Sequence, residues 1–152
     1  MRVIITSLLG LFLVACGGSG GNDGNGPPQD YIDYPPLWND YVIGMGETIN
    51  LAESVEIEFV SVEEDTRCPT GAQCVSEGNA RVRLKCITPR GSSIVELNTS
   101  NALPTSALFD YYGTYLRRLE PYPTLDAQGV VVPIPAHDYE ATVFVTKNAT
   151  PP

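Results

Sequence analysis

The chain has 152 residues, with 9 Lys and Arg against 18 Asp and Glu and a formal net charge of −9. This length suits one modest domain, and the negative charge argues against anionic partners such as nucleic acids and anionic lipid headgroups. Most of the acidic residues lie between Arg2 and Arg67, an interval without any Lys or Arg. We interpret this imbalance as a solubilising acidic surface rather than a docking patch.

Residues 1–15 have the organisation of an export signal. Arg2 provides a short positive region, residues 3–14 are mostly apolar, and the small Ala15 precedes a cysteine. The apolar segment is much shorter than the roughly 20 residues that cross a bilayer as a helix. We therefore predict a cleaved signal peptide over residues 1–15.

The end of this segment, Leu13-Val14-Ala15-Cys16, resembles the lipobox of bacterial lipoproteins, which reads Leu, a small or β-branched residue, Ala or Gly, and then Cys. The resemblance implies that Cys16 carries a thioether-linked diacylglyceryl group and becomes the N-terminus, which is open to acylation, for example with palmitate. Two or more acyl chains anchor a protein stably, whereas one chain gives only reversible binding. The resemblance thus implies a lipid-anchored protein of the bacterial cell envelope. Gly17, in place of the aspartate linked with inner-membrane retention in enteric bacteria, favours the outer membrane.

Residues 16–36 follow as the lipidated cysteine and a stretch rich in Gly and Pro. Such a composition has too little apolar surface to offset the entropy of ordering the chain. We predict a flexible tether that holds the following domain roughly 25 Å from the membrane. Trp38 and the tyrosines at positions 31, 34 and 41 are expected where this tether meets the fold.

Residues 37–152 are predicted to form one all-β domain. Several stretches alternate apolar and polar residues with the period of two that half-buried strands show. These stretches are 55–59, 80–86, 130–134 and 139–145, with shorter candidates at 41–51, 92–98 and 114–120. Residues 102–113 are expected to form a helical turn or a loop. Six to eight short strands separated by turns predict a small antiparallel β-sandwich or a barrel.

Besides Cys16, the chain has Cys68, Cys74 and Cys86. An exported chain meets an oxidising compartment, where disulfides form. Cys68 and Cys74 enclose five residues that include a Pro and a Gly, so the chain can reverse there and bring the two sulfurs together. We predict a Cys68–Cys74 disulfide that makes this loop rigid. Cys86 lies on the apolar face of its strand, which predicts a buried thiol.

The segment around this cysteine pair resembles one that recurs in small bacterial lipoproteins and secreted domains. That pattern reads Asp-Ser-Arg-Cys-Pro, a few residues, Cys, an aromatic residue and then Gly before a strand. The matching residues are Asp65, Arg67, Cys68, Pro69, Cys74 and Gly78, with Thr66 in place of the serine and Ser76 where the pattern has Trp. The resemblance extends loosely over residues 55–87 and implies a β-domain without an established activity. We expect the Asp65–Arg67 pair to be structural rather than catalytic.

No residue pattern predicts a catalytic site, a metal or a cofactor. A zinc site would need Cys86 and His137 to join the cysteine pair, and five residues between two cysteines is an unusual spacing for zinc ligands. The acidic residues 63–65 alternate in direction on a strand end, so they cannot converge on calcium. Outside the glycine-rich residues 17–21, the chain has no G-x-S-x-G pattern of a nucleophile elbow, and it has no P-loop, dinucleotide fingerprint or H-E-x-x-H motif. A lone histidine in a turn is usually only solvated.

Tyrosine and arginine are concentrated in one short stretch near the C-terminal third of the chain. The residues that we consider for partner contact are Tyr111, Tyr112, Tyr115, Arg117 and Arg118. Exposed tyrosines beside arginines are a common recognition chemistry, so this is the stretch to test for a partner, although we favour packing of the tyrosines in the core and at the edges of the sandwich.

The sequence therefore favours a non-enzymatic, lipid-anchored β-domain that acts by binding an envelope protein or by a structural role. The alternative is an inhibitor or chaperone-like module that acts through the 68–74 disulfide loop. An envelope hydrolase is the least favoured class.

Overall fold

The computed structural model describes residues 34–147, which contain eight β-strands. These are β1 (Asn39–Gly44), β2 (Thr48–Leu51), β3 (Val55–Asp65), β4 (Ala80–Thr88), β5 (Gly91–Asn98), β6 (Ser106–Phe109), β7 (Tyr112–Glu120) and β8 (Glu140–Lys147). Short 3-10 turns at Ala52–Ser54 and Ala136–Asp138 precede β3 and β8. Within residues 34–147, no helix is long and apolar enough to cross a membrane.

The predicted signal peptide (1–15), the lipidation site Cys16 and most of the tether lie outside the described residues. At the start of the described part, the Trp38 N–H donates to the carbonyl of Val145 at 2.7 Å. The Tyr41 hydroxyl donates to the carbonyl of Pro36. These contacts attach the residues before β1 to strands β1 and β8, which belong to the same sheet.

The strands form two antiparallel four-stranded sheets, with the orders β1-β8-β7-β6 and β2-β3-β4-β5. The all-β class predicted from the alternating pattern is confirmed, and the sheets stack as a β-sandwich. In each sheet the two long central strands provide most of the pairing. These are β3 with β4 in one sheet and β7 with β8 in the other. The shorter or outer strands complete the two edges.

The core lies between the sheets and follows the alternation of the sequence. In β3, Val55, Ile57 and Phe59 are fully buried, and Val143 and Val145 of β8 approach from the other sheet. Each such side chain contributes roughly 1.5–3 kcal/mol on removal from water. The core also contains alternate residues of β4, which are Ala80, Val82, Leu84 and Cys86.

Residues 41–51, predicted as one short candidate, form two strands in different sheets. β1 ends at Gly44 and β2 begins at Thr48, with Gly46 between them at φ +84°. A positive φ is readily adopted by glycine, so the chain can turn sharply here and pass from one sheet to the other. Residues 102–113, predicted as a helical turn or loop, contain β6, whose Phe109 packs in the core.

The strand predicted over 130–134 is wrong. Only Val131 makes a β-bridge there, with Leu125, and the three consecutive valines from Val130 onward are exposed. Pro133 and Pro135 lack a backbone N–H, so this segment cannot form a continuous ladder with a neighbour. The alternation that predicts a strand is present, but the hydrogen-bond donors that a strand needs are not.

Candidate functional site

The loops of the sandwich form two groups at opposite ends. We call one group the N-terminal end, which consists of residues 34–37 and the turns 52–54, 88–91 and 109–112. The Ala52 N–H donates to the carbonyl of Pro35 at 2.9 Å. The Thr88 hydroxyl donates to Asp110 at 3.2 Å and joins two of the turns. The chain therefore reaches the first sheet at this end.

The other group includes loops 66–79 and 121–139, whose surface we call the disulfide end. Loop 66–79 follows β3 and loop 121–139 joins β7 to β8, and the bonds from Arg67 to the Leu119 carbonyl and from Tyr139 to Asp65 place both loops at the same end of the sandwich. The Thr70 N–H donates to the carbonyl of Pro123 at 2.8 Å, and Thr70 and Thr124 form a parallel bridge. The two long loops are thus one connected surface.

The predicted Cys68–Cys74 disulfide is present, with the two Cα atoms 6.0 Å apart. At the base of loop 66–79, the Cys68 N–H donates to the carbonyl of Glu77 at 2.8 Å. Gly78 has a φ of +72°, and a Cβ at this position would overlap the Thr66 carbonyl. Glycine is required there because the chain doubles back closely on itself before β4.

Arg67 is a buried hub between the two loops and is only 5% exposed. Its guanidinium holds Asp65 with two hydrogen bonds, Nε–Oδ1 at 2.8 Å and Nη2–Oδ2 at 2.6 Å. It also donates to the carbonyls of Leu119 at 2.5 Å and Pro121 at 2.9 Å. The Tyr122 ring lies 4.9 Å from the guanidinium carbon, a cation–π contact. One side chain thereby connects the end of β3 to the end of β7.

Asp65 completes this cluster by accepting a hydrogen bond from the Tyr139 hydroxyl at 3.0 Å. Burial opposes ionisation of Asp65, but the hydrogen bonds and charge of Arg67 outweigh it, so the pKa of Asp65 is below its ordinary value. Burial, together with the bond to Asp65, raises the pKa of Tyr139 to about 12. The predicted pairing of Asp65 with Arg67 is confirmed, and its geometry is that of a structural contact.

A cleft of about 290 Å³ opens beside this cluster, beneath loop 121–139. Its walls are mostly apolar, with the buried polar cluster on one side. The lining residues are Asp65, Thr66, Arg67, Pro69, Pro123, Val131, Val132, Pro133, Ile134 and Tyr139. A cleft of this size accommodates a side chain better than a large cofactor.

The stretch predicted for partner contact does not form one surface. Tyr112 points into the core, and its hydroxyl donates to Glu53 at 3.1 Å. Tyr111 lies at the N-terminal end under Arg90. Arg118 is exposed on β7, with its Nε 3.8 Å from Glu120.

Tyr115 and Arg117 of the same stretch lie together on the outer face of the first sheet. Tyr115 is opposite Phe144, with ring centroids 6.0 Å apart, and the Arg117 guanidinium carbon is 4.6 Å from the Phe144 ring. Asp40 pairs with Arg117 at 3.5 Å. The recognition groups that the sequence suggests are therefore engaged with one another.

The N-terminal end has its own cleft, of about 340 Å³, between the turns 88–91 and 109–112. Arg90 donates to Asp110 at 3.0 Å and covers the Tyr111 ring at 4.6 Å. Cys86 contributes to the cleft wall but is almost completely buried, and burial raises the pKa of its thiol to about 12. The buried thiol predicted for Cys86 is confirmed.

The side chains considered for a metal site are separated by the fold. Cys86 lies near the C-terminus of β4, at the N-terminal end of the sandwich, whereas His137 is at the disulfide end, with its side chain 84% exposed and 3.2 Å from Asp138. Among residues 34–147, no three His, Cys, Asp or Glu side chains are grouped as metal ligands.

Sequence reasoning missed loop 121–139 as the partner of the disulfide loop. The hydrogen bonds that join the two loops are accepted by the carbonyls of Leu119, Pro121 and Pro123. A sequence does not show which backbone oxygens will accept a bond from a distant side chain. The one usable signal in the sequence is Tyr122, which lies close to Arg117 and Arg118.

Comparison of the whole chain with protein-family models, with curated proteins and with solved structures gives no match.

Proposed function

We propose that this chain is a lipid-anchored protein of the bacterial envelope whose β-sandwich acts by binding, through the loops of the disulfide end. The lipobox resemblance of residues 13–16 supports the anchor. The binding role is supported by the position of these loops relative to the start of the domain.

The observation that carries the proposal is the polarity of the sandwich. The chain reaches the first sheet at the N-terminal end, and a nine-residue strand such as β4 spans roughly 30 Å. The loops that are cross-linked by a disulfide and by Arg67 lie at the opposite end. In a chain that is anchored before residue 34, these loops are the part of the sandwich farthest from the point where the tether joins the domain.

The same loops combine rigidity with exposed apolar surface, as binding surfaces do. Val75 in loop 66–79 is fully exposed, and Val130 and Val131 in loop 121–139 are more than half exposed. Apolar side chains on a rigid platform are favourable to bury because little entropy is lost on binding. Isolated exposed valines are ordinary, but consecutive ones beside a cleft indicate an interaction surface.

A binding role also accords with the use of the buried titratable groups. Asp65 is engaged with both Arg67 and the Tyr139 hydroxyl, and Cys86 is held as a neutral thiol. Each of these groups has a structural role in the folded domain. A general acid, base or nucleophile would need to reach a substrate.

The anchor is tested by growing cells that express the full chain with labelled palmitate. The wild-type chain is expected to incorporate label and to partition into detergent, and Cys16→Ser to do neither. A Cys16→Ser chain that still partitions into detergent would contradict lipid anchoring.

The binding surface is tested with two matched valines. Val131 is 51% exposed at the disulfide end, and Val42 is 61% exposed on β1. In affinity capture from solubilised envelopes, Val131→Ser is expected to weaken recovery of a partner about fivefold, because apolar burial is lost. Val42→Ser should bind as wild type. Equal recovery by both variants would exclude the disulfide end as the contact.

The inhibitor or chaperone-like alternative uses the same loops and is separated by its readout. An inhibitor should reduce the activity of an envelope protease in a direct assay, and a Cys68→Ser/Cys74→Ser chain should do so less well. A hydrolase should instead lose turnover in His137→Ala while its unfolding temperature is unchanged.

A further inference from the structure

Residues 124–132 form a short β-hairpin within the disulfide end, and its outer edge is open. The Val132 N–H donates to the carbonyl of Thr124 at 2.9 Å, and the Asp126 N–H donates to the carbonyl of Val130 at 2.9 Å. Because backbone groups alternate in direction along an extended chain, the N–H and carbonyl of Val131 face away from this pairing. An extended segment can therefore pair with the hairpin at Val131.

The cleft lies beside this open edge. Val131 and Val132 belong both to the hairpin and to the cleft wall, and Pro69 and Pro123 form wall from the neighbouring loop and strand end. A segment paired at Val131 would direct alternate side chains toward the protein. An apolar side chain among them would be removed from water by these walls.

The exposed charges of the loops that form the cleft are acidic. Arg67 is the sole Lys or Arg in loops 66–79 and 121–139, and its charge is buried against Asp65. Asp126 and Asp138 are exposed carboxylates of loop 121–139, and Glu120 and Glu140 stand directly opposite each other on β7 and β8. Arg118, 3.8 Å from Glu120, offsets part of this negative charge, and a further cation beside Glu140, Asp126 or Asp138 would be favourable.

We propose that the disulfide end binds an extended, basic segment of a protein, with an apolar side chain in the cleft and Lys or Arg beside the surrounding carboxylates. This rests on the proposed function of the same loops and adds the chemistry of the partner. The backbone of the segment pairs with Val131, in the manner of strand addition. The acidic surroundings disfavour nucleic acids and anionic lipids at this site.

The test is photo-cross-linking of the full chain in intact cells, with benzoylphenylalanine placed at Val131 or, as control, at Val42. Cross-linked peptides are identified by mass spectrometry. We expect products at Val131 that are absent at Val42, and a cross-linked segment with more Lys and Arg than Asp and Glu.

A second arm removes charge without removing the hairpin. Asp126→Asn retains the Oδ1 atom that accepts from the N–H groups of Gln128 and Val130. Combined with Asp138→Asn, it should lower the cross-linking yield at Val131 about fivefold, as expected for two exposed charge pairs. Glu96→Gln on β5 is the matched control and should leave the yield unchanged. Asp138→Asn by itself, whose carboxylate contacts only the exposed His137, separates loss of charge from loss of fold.

The outcomes distinguish the two proposals. A neutral or acidic segment cross-linked at Val131, or a yield that Asp126→Asn/Asp138→Asn does not change, would overturn the basic partner and leave the binding surface in place. Products no more abundant at Val131 than at Val42 would overturn both.

Discussion

The two ends of the sandwich hold the same three kinds of residue, an arginine, an aspartate and a tyrosine, in opposite surroundings. Arg67 is buried, with a two-point contact to Asp65, two carbonyls and the Tyr122 ring. Arg90 has 62% of its side chain exposed and pairs with Asp110 over Tyr111. The residue types are the same at both ends, and burial determines how much their contacts contribute to stability.

At the N-terminal end, the Arg90 guanidinium is mostly solvated, and Asp110, although only 19% exposed, also accepts from the Thr88 hydroxyl, so the pair contributes little to stability. At the disulfide end, each group depends on the others because removal of one leaves a charge without water or partner. A buried pair is therefore evidence of interdependence between two loops. An exposed pair gives no such evidence of interdependence.

The largest expected effect is that of removing the guanidinium from the buried cluster. Arg67→Met should lower the free energy of unfolding by about 3–5 kcal/mol, because Asp65 then stays buried without its counter-charge. Arg90→Met is the matched control, and its urea midpoint should remain close to wild type. Similar midpoints for the two variants would show that burial does not separate the two ends.

The disulfide should contribute less than the arginine. Cys68→Ser/Cys74→Ser opens a loop of sequence separation 6 and is expected to cost about 2 kcal/mol in the chain-entropy account. Hydrogen exchange should increase in loop 66–79 and its neighbour and stay unchanged at the turns 88–91 and 109–112. Faster exchange at both ends would mean that the loops are not an independent unit.

The two tyrosine–carboxylate hydrogen bonds offer a smaller comparison. Tyr139→Phe removes the bond to Asp65 and should cost about 1 kcal/mol. Tyr112→Phe removes the bond to Glu53, a half-exposed carboxylate that also pairs with Lys147 at 2.6 Å, and should cost less. Thermal unfolding of both variants tests this order, and a reversed order would count against burial as the cause.

The smallest effect concerns acid. Because the pKa of Asp65 is lowered on folding, its contribution is present above the unfolded pKa of about 4 and is lost as pH falls through the folded value. The free energy of unfolding should therefore fall less steeply with acid in Asp65→Asn than in wild type. Glu53→Gln, at the exposed end, should follow the wild-type slope more closely. Parallel acid slopes in Asp65→Asn and wild type would contradict the role of Arg67.

Alternation in the sequence was enough to predict the central strands, since a strand with one buried face must repeat every two residues. Val55, Ile57 and Phe59 show this without exception. The same alternation predicted a strand at residues 130–134 that does not form. An alternating side-chain pattern does not take into account that two prolines in this segment lack a backbone N–H.

The disulfide and the Asp65–Arg67 pair were predictable because their members are neighbours in sequence. The partners of Arg67 at Leu119 and Pro121 were not, since they are main-chain oxygens on a distant strand. Tyr112 shares the parity of the apolar Leu116, and this is the sequence signal that assigns it to the core. Tyr115, with the opposite parity, faces outward.

Arg67 also has a consequence for the order of events during folding. Its carbonyl partners follow it by 52 and 54 residues. Synthesised from its N-terminus, the chain can form the β3–β4–β5 meander from nearby contacts, which close rapidly. The guanidinium must then stay hydrated until β7 is complete. The disulfide end is thus completed only when the second half of the chain supplies the oxygens that the first half lacks.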